Sequence, residues 1–213
     1  MNPEELIDDI YEKIKYDQAF DHLRQSSNPF VPGEGATDGA RAFIIGEAPG
    51  AYEAVKRRPF VGPAGKVQRQ LMELARLWSV EHYAPGIQYN KHREPNCWLT
   101  NVLHYRPPRN RKPTPTEIEA SRPYIVDEWK AVGSPRIIVA VGASALAAIA
   151  PDLHASILKI AGTCLERIDR HRKPIYVWPM IHPAFGLRNK AVQPLIERDW
   201  QRLAEWMRGS ATH

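Results

Sequence analysis

Residues 41–50 read RAFIIGEAPG, the clearest strand-and-turn signal of the chain. Ala42-Phe43-Ile44-Ile45 is a short apolar, β-branched run that stops at a Gly/Pro turn, the pattern of a buried strand. CWLTNVLHY (97–105), RIIVAVG (136–142) and PIYVWPMI (174–181) have the same character. The segments between them carry helical periodicity. Val67, Leu71, Leu74, Ala75 and Trp78 fall on one face at 3.6-residue spacing. Thr116 opens a helix to about Lys130, with Glu117 and Glu119 in its first turn, where the helix dipole favours acids. ASALAAIA is a short helix, and Val192 to Met207 forms the last one, with Val192, Leu195, Ile196, Trp200, Leu203 and Met207 inward. Upstream, residues 3–26 read as helical, with Leu6, Ile7, Ile10, Ile14, Phe20 and Leu23 as apolar positions, and 26–39 as a turn-rich connection. Strands alternating with helices predict an α/β fold, a three-layer αβα arrangement on a central four-stranded, mainly parallel sheet. A single domain is expected over 1–213, with 1–30 as an N-terminal helical segment packed on its core. Ligands of such folds bind beyond the carboxyl ends of the strands. Three of those ends carry GEAPG, TNVLHYRPP and IHPAFGLRN, so one face is expected to hold one site.

The 213 residues are 43% hydrophobic and 25% charged, enough for a real core within roughly one domain length. No apolar run approaches the roughly 18 residues of a membrane span, so no membrane partner is expected. The acidic, amphipathic start MNPEELIDDIYEK is unlike a secretory or transit peptide, which points to a cytoplasmic, nucleoid-associated location. Cys97 and Cys164 are too few for a disulfide framework or a four-cysteine metal site, and both are expected to be buried thiols. The net charge of +5 names no partner by itself. Its distribution says more: Lys56-Arg57-Arg58 through Lys66 and Arg69, and Arg106 through Lys112, are cationic stretches suited to a phosphate backbone.

Gly46-Glu47-Ala48-Pro49-Gly50, then Pro59-Phe60-Val61-Gly62-Pro63-Ala64-Gly65, then Thr100-Asn101-Val102, then His182-Pro183-Ala184 stand in an order and spacing that resemble the uracil-DNA glycosylase superfamily. The resemblance runs from about Val31 to Trp200 and is closest to the branch that usually carries an iron–sulfur cluster. It implies an enzyme that flips deoxyuridine out of DNA and hydrolyses the N-glycosidic bond. The matched motifs place no lysine for a Schiff base, so monofunctional action is expected, as is a monomer by analogy of size and fold. No cofactor is expected, because the cluster's cysteines are missing.

Each matched residue has a chemistry that suits such a task. Phe60 matches the family's stacking aromatic, and a stacked base is worth about 1–3 kcal/mol. Ala48, in the matched Gly-Glu-Ala-Pro-Gly turn, is by the same resemblance a further base-binding candidate. The Asn101 amide can accept from N3–H and donate to O4, a pattern that selects uracil over cytosine. His182, fixed in direction by Pro183, is the catalytic candidate, a donor to O2 as negative charge develops there. Glu47 and Glu53 match the family's two glutamates and are candidates to orient water and stabilise the sugar cation, Glu47 before Glu53. Phe185 or Leu187 is expected to enter the duplex as a wedge, with Arg188, Arg106, Arg109 and Arg111 on phosphates.

The chain also departs from the pattern. The family's Asp after the second glutamate is Ala54, and the Gly expected two residues before Pro59 is Arg57. Where cluster-bearing members place two of their cysteines, this chain has Tyr105 and Ser121, and no cysteine precedes Gly33. No cluster is therefore expected, and packing, with Tyr105 and Phe20 as candidates, must tie the N-terminal segment to the Arg-Pro-Pro loop. The inserted, histidine-bearing loop of a covalently trapping branch is missing as well, which predicts turnover. Two other functions remain open: a non-catalytic binder of uracil or abasic DNA, and a glycosylase for another deaminated base such as hypoxanthine or xanthine.

Overall fold

The computed structural model describes residues 2–24, 28–78, 96–169 and 171–210; residues 25 and 26 of the N-terminal helical segment lie outside them. Among the described residues one sheet contains β1 (Glu34–Gly35), β2 (Ala42–Gly46), β3 (Cys97–Asn101), β4 (Ile137–Val141), β5 (Leu165–Ile168) and β6 (Pro174–Met180), in the spatial order β1-β3-β2-β4-β6-β5. The inner four are the strands read from sequence, and all are parallel. Antiparallel β1 and β5 extend the sheet at its edges, so the expected count of four becomes six. Neither edge carries a strand signal: β1 is two residues long, and the apolar Leu165 and Ile168 of β5 are three apart rather than two.

Among the described residues the α-helices are α1 (Pro3–Tyr16), α2 (Asp21–Arg24), α3 (Ala51–Lys56), α4 (Pro63–Leu74), α5 (Pro115–Ala131), α6 (Ala143–Ile149), α7 (Ile157–Ile160), α8 (Pro183–Arg188) and α9 (Gln193–Ser210). Alternation along β2 sorts them into two layers. Phe43 and Ile45 join a core with Ile7 and Ile14 of α1, Ile125 of α5 and Leu146 of α6. Ala42 and Ile44 face the other core, with Leu71 and Met72 of α4 and Ile196, Trp200 and Leu203 of α9. Each large side chain buried this way contributes roughly 1.5–3 kcal/mol.

Several details correct the sequence reading. α1 stops at Tyr16 because Asp17 turns extended and its carboxylate accepts from the Ala19 amide at 2.9 Å. Leu74 and Leu195, expected inward, are exposed. α4 ends at Leu74, and Leu195 lies about 100° around α9 from the buried Ile196. Cys97 is buried, whereas Cys164 is exposed in the turn before β5. Arg58 and Arg69 leave the cationic stretch and pair with Glu34.

The chain moves from β2 to β3 on one side and places β4 on the other, so the topological switch lies between the carboxyl ends of β2 and β4. The N-terminal segment is tied to the loops at that end by polar contacts as well as packing. Glu117 completes a capping box with Thr114 at the start of α5, takes a two-pronged contact from Arg111 (2.7 and 2.8 Å), and meets the His22 ring at 2.6 Å. Burial acts to raise the Glu117 carboxyl, but Arg111, the Thr114 amide and His22 outweigh it and bring its pKa down to about 2. Asn28 donates to the carbonyls of Leu23 and Arg106, and Phe30 stacks on His104.

Candidate active site

The carboxyl ends of the parallel strands open into a cleft of about 580 Å³. Glu47, Ala48, Glu53, Phe60, Asn101 and His182 all line it, so the base-binding and catalytic candidates share one space. Gly46, the last residue of β2, shows how tightly. A Cβ there would lie 2.5 Å from Asn101 Oδ1 and 2.7 Å from Phe60 Cζ. Only glycine lets the amide and the ring close over the strand end together. Asn101 ends β3 opposite Gly46, and Asn101 and Phe60 are both buried.

His182 follows β6 and caps α8, its Nδ1 accepting from the Ala184 amide at 3.1 Å. An accepting ring nitrogen carries no proton, so the proton of the neutral ring sits on Nε2. Burial, helped by the positive charge of Arg188, brings its pKa down to about 4. His182 is therefore a neutral Nε2–H donor near pH 7. Gly142, at a φ of +97°, closes β4 against it: an added Cβ would lie 3.4 Å from the His182 Cβ.

The two carboxylates differ in their engagements. Ser144, in the first turn of α6, donates to Glu47 Oε2 at 2.7 Å across the switch between β2 and β4. Glu53 uses both oxygens on backbone: Oε1 accepts from the Gly62 amide at 2.7 Å and Oε2 from the Gly50 amide at 3.2 Å. It thereby closes the loop that carries Phe60.

The cleft rim holds part of the predicted DNA-binding set. Arg111, Phe185 and Arg188 line it, while Arg106, Arg109 and Leu187 lie outside its lining. Arg111 is committed to Glu117, and Arg106 Nε donates to Asn110 Oδ1 at 2.6 Å. Phe185 packs against the core below, whereas Leu187 is 49% exposed, the more prominent of the two apolar candidates. Ser144 escaped the sequence reading. Its one signal was a hydroxyl at the start of an otherwise apolar Ala/Leu helix directly after a strand. Tyr52 and Lys112 also line the cleft and were not singled out for the base pocket.

An iron–sulfur cluster does not fit the residues present. Tyr105 and Ser121 line a cavity of about 10 Å³ with Ile14, Phe20, His104 and Tyr124, room for about one water and with no thiolate in its wall. Cys97 lies elsewhere, its Sγ donating to the Leu77 carbonyl at 3.2 Å. Phe20 and Tyr105 are both buried there, in one core with α1 and α5.

Comparison with known proteins identifies the family. A family model described as "Uracil DNA glycosylase superfamily" matches residues 32–204. The chain is 32% identical to the type-4 uracil-DNA glycosylase of Archaeoglobus fulgidus over 94% of its own length and 93% of that protein. It is 33% identical to the type-4 enzyme of Sulfurisphaera tokodaii, covering 82% of this chain and 73% of that one. The type-4 enzyme of Thermotoga maritima is 32% identical, over 88% of this chain and 86% of the relative.

Proposed function

The chain belongs to the uracil DNA glycosylase superfamily, and from that premise we propose that it removes uracil from DNA as a monofunctional glycosylase, leaving an abasic site. The observation that carries this reading is the meeting of Phe60 and Asn101 over Gly46, in one cleft with His182 and Glu47. A cleft of about 580 Å³ falls within the roughly 300–1,000 Å³ typical of small-molecule sites and has room for an extruded nucleotide.

In this reading the flipped base stacks on Phe60 while the Asn101 amide accepts from uracil N3–H and donates to O4. Cytosine presents the opposite pattern at that edge and leaves both amide groups unpaired. As the bond between C1′ and N1 breaks, its electron pair moves into the uracil ring and negative charge gathers on O2. The Nε2–H of His182 meets that charge without a proton transfer. Glu47, held by Ser144, faces the cationic sugar, positions the water that adds to C1′, and takes up the proton that this water releases. Glu53 acts as a positioning residue through the Gly50 and Gly62 amides. Leu187 wedges the vacated stack, and Arg188 with Arg106 and Arg109 holds phosphates.

The test is a uracil-containing oligonucleotide treated with the protein, with and without alkali. Strand breakage only after alkali supports hydrolysis of the base alone. Breakage without alkali would contradict monofunctional action and point to the cleft-lining Lys112. An oligonucleotide that is bound but stays alkali-resistant would indicate a binding protein, and release of hypoxanthine or xanthine in preference to uracil a different substrate.

A further inference from the structure

We propose that Arg69, locked in place by Glu34, is a positioning residue that sets the attitude of the Phe60 ring, an inference that rests on Phe60 being the base-stacking group. Phe60 has a φ of +56°, a backbone conformation that aromatic residues seldom adopt and that must be held by its surroundings. The hold is visible. Arg69 Nε donates to the Phe60 carbonyl at 2.9 Å, and an Nη of the same guanidinium donates to the Pro59 carbonyl at 2.8 Å.

Those two carbonyls belong to the two peptide planes that meet at the Phe60 Cα. The φ and ψ of Phe60 are the rotations relating these planes, so one rigid fork gripping both fixes the direction in which the side chain leaves the backbone. That direction matters because the ring edge rests on Gly46 with no spare room.

The fork is itself immobilised. Arg69 is 5% exposed, its Nη pairs with Glu34 on β1, and its guanidinium lies 4.2 Å from the centroid of the Trp78 ring. Glu34 also accepts from Arg58 Nε at 2.8 Å, two residues before Phe60. Burial acts to raise the Glu34 carboxyl, but the charges of Arg69 and Arg58 outweigh it and hold it below the usual carboxylate value. Glu34 and Arg69 thus grip the loop on one side, and Glu53 holds it through the Gly62 amide on the other.

The test is a double-variant cycle on the full chain, with single-turnover excision from a uracil oligonucleotide as readout. Arg69→Lys keeps the charge but cannot span two carbonyls and a carboxylate, and it should slow excision about tenfold. Its affinity for an oligonucleotide carrying a tetrahydrofuran abasic analogue, which offers no base to stack, should stay within about twofold. In a Phe60→Ala background the same substitution should change the rate little, because its effect passes through the ring. Losses that multiply in the double variant, or an unchanged rate for Arg69→Lys, would overturn the proposal. A Phe60→Ala protein of full activity would instead refute base stacking, the underlying premise. Should Arg69→Lys fail to fold by circular dichroism, Glu34→Gln, which keeps the shape and removes the charge, enters the same cycle and is judged by the same outcomes.

Discussion

If His182 works as a neutral donor, the excision rate should be insensitive to pH where an ordinary histidine titrates. Burial, with the Arg188 charge behind it, sets the His182 pKa at about 4 against the usual 6.5. At about pH 5.5 that leaves only about 3% of the rings protonated, whereas an unshifted ring would be about 90% protonated there. Between about pH 7.5 and pH 5.5 an unshifted His182 acting as a neutral donor would cost about tenfold in rate, and the buried one costs a few per cent. Single-turnover excision across that interval reads the difference, and nitrogen-15 NMR of the ring reads its protonation and the proton on Nε2. Arg188→Ala removes a positive charge that disfavours protonation, so the ring's pKa should rise, yet stay well below 6.5 because burial is the larger cause. The same shift bears on stability. The folded value lies below the unfolded one, so the contribution is complete above about 6.5 and is lost as the pH falls through about 4. A tenfold rate loss by about pH 5.5, with the His182 ring titrating near 6.5, would refute the burial-lowered pKa on which the expected pH-independence rests.

Asn101→Asp should lower the uracil rate by on the order of 100-fold or more and erode discrimination against cytosine, read by parallel assays on the two bases. Ser144→Ala should lower kcat about three- to tenfold with KM little changed, because the hydroxyl touches Glu47 rather than DNA, and Ser144→Thr should restore most of it. Glu117→Ala should cost about 2–4 kcal/mol in urea unfolding, through loss of the capping box and the Arg111 and His22 contacts. The wild-type contribution of Glu117 should be complete above its usual value of 4.5 and be lost as the pH falls toward about 2.

The parallel core of the sheet was legible because its strands are buried on both faces and read as continuous apolar runs of the β2 kind. The edge strands were not, since a two-residue strand has no period and β5 packs too little side chain to show one. The candidate site was legible at residues that end or directly follow strands, Asn101 at the end of β3, Glu47 after β2 and His182 after β6, because topology alone brings those ends together. Charge was the poorest guide. Arg58, Arg69 and Arg111 belong to runs that read as a cationic surface, yet each is committed to an acid supplied by a distant or buried position, Glu34 or Glu117. Sequence gives the sign of a side chain and not its partner. Ser144 was invisible for a related reason: its role exists only because β4 lies beside β2.

The partners of the buried charges show what those charges do besides pairing. An ion pair taken out of water gains little net stability over apolar packing, so stability alone is a weak reason for Arg69, Glu34 or Glu117. Two of these groups, together with Glu53, also grip backbone: Arg69 the carbonyls of Pro59 and Phe60, Glu53 the amides of Gly50 and Gly62, Glu117 the amide of Thr114. Each of these contacts grips backbone outside the strands, in a loop or at the residue that caps a helix. Stabilising a departing uracil anion requires donors already in position when the charge appears, since reorganising them would add to the barrier. In the proposed reaction that work falls to the ring of His182, without a charge of its own, while the charged side chains around the cleft hold the loops. The electrostatic cost of these interior charges is thus offset by fixed geometry in the loops around the cleft.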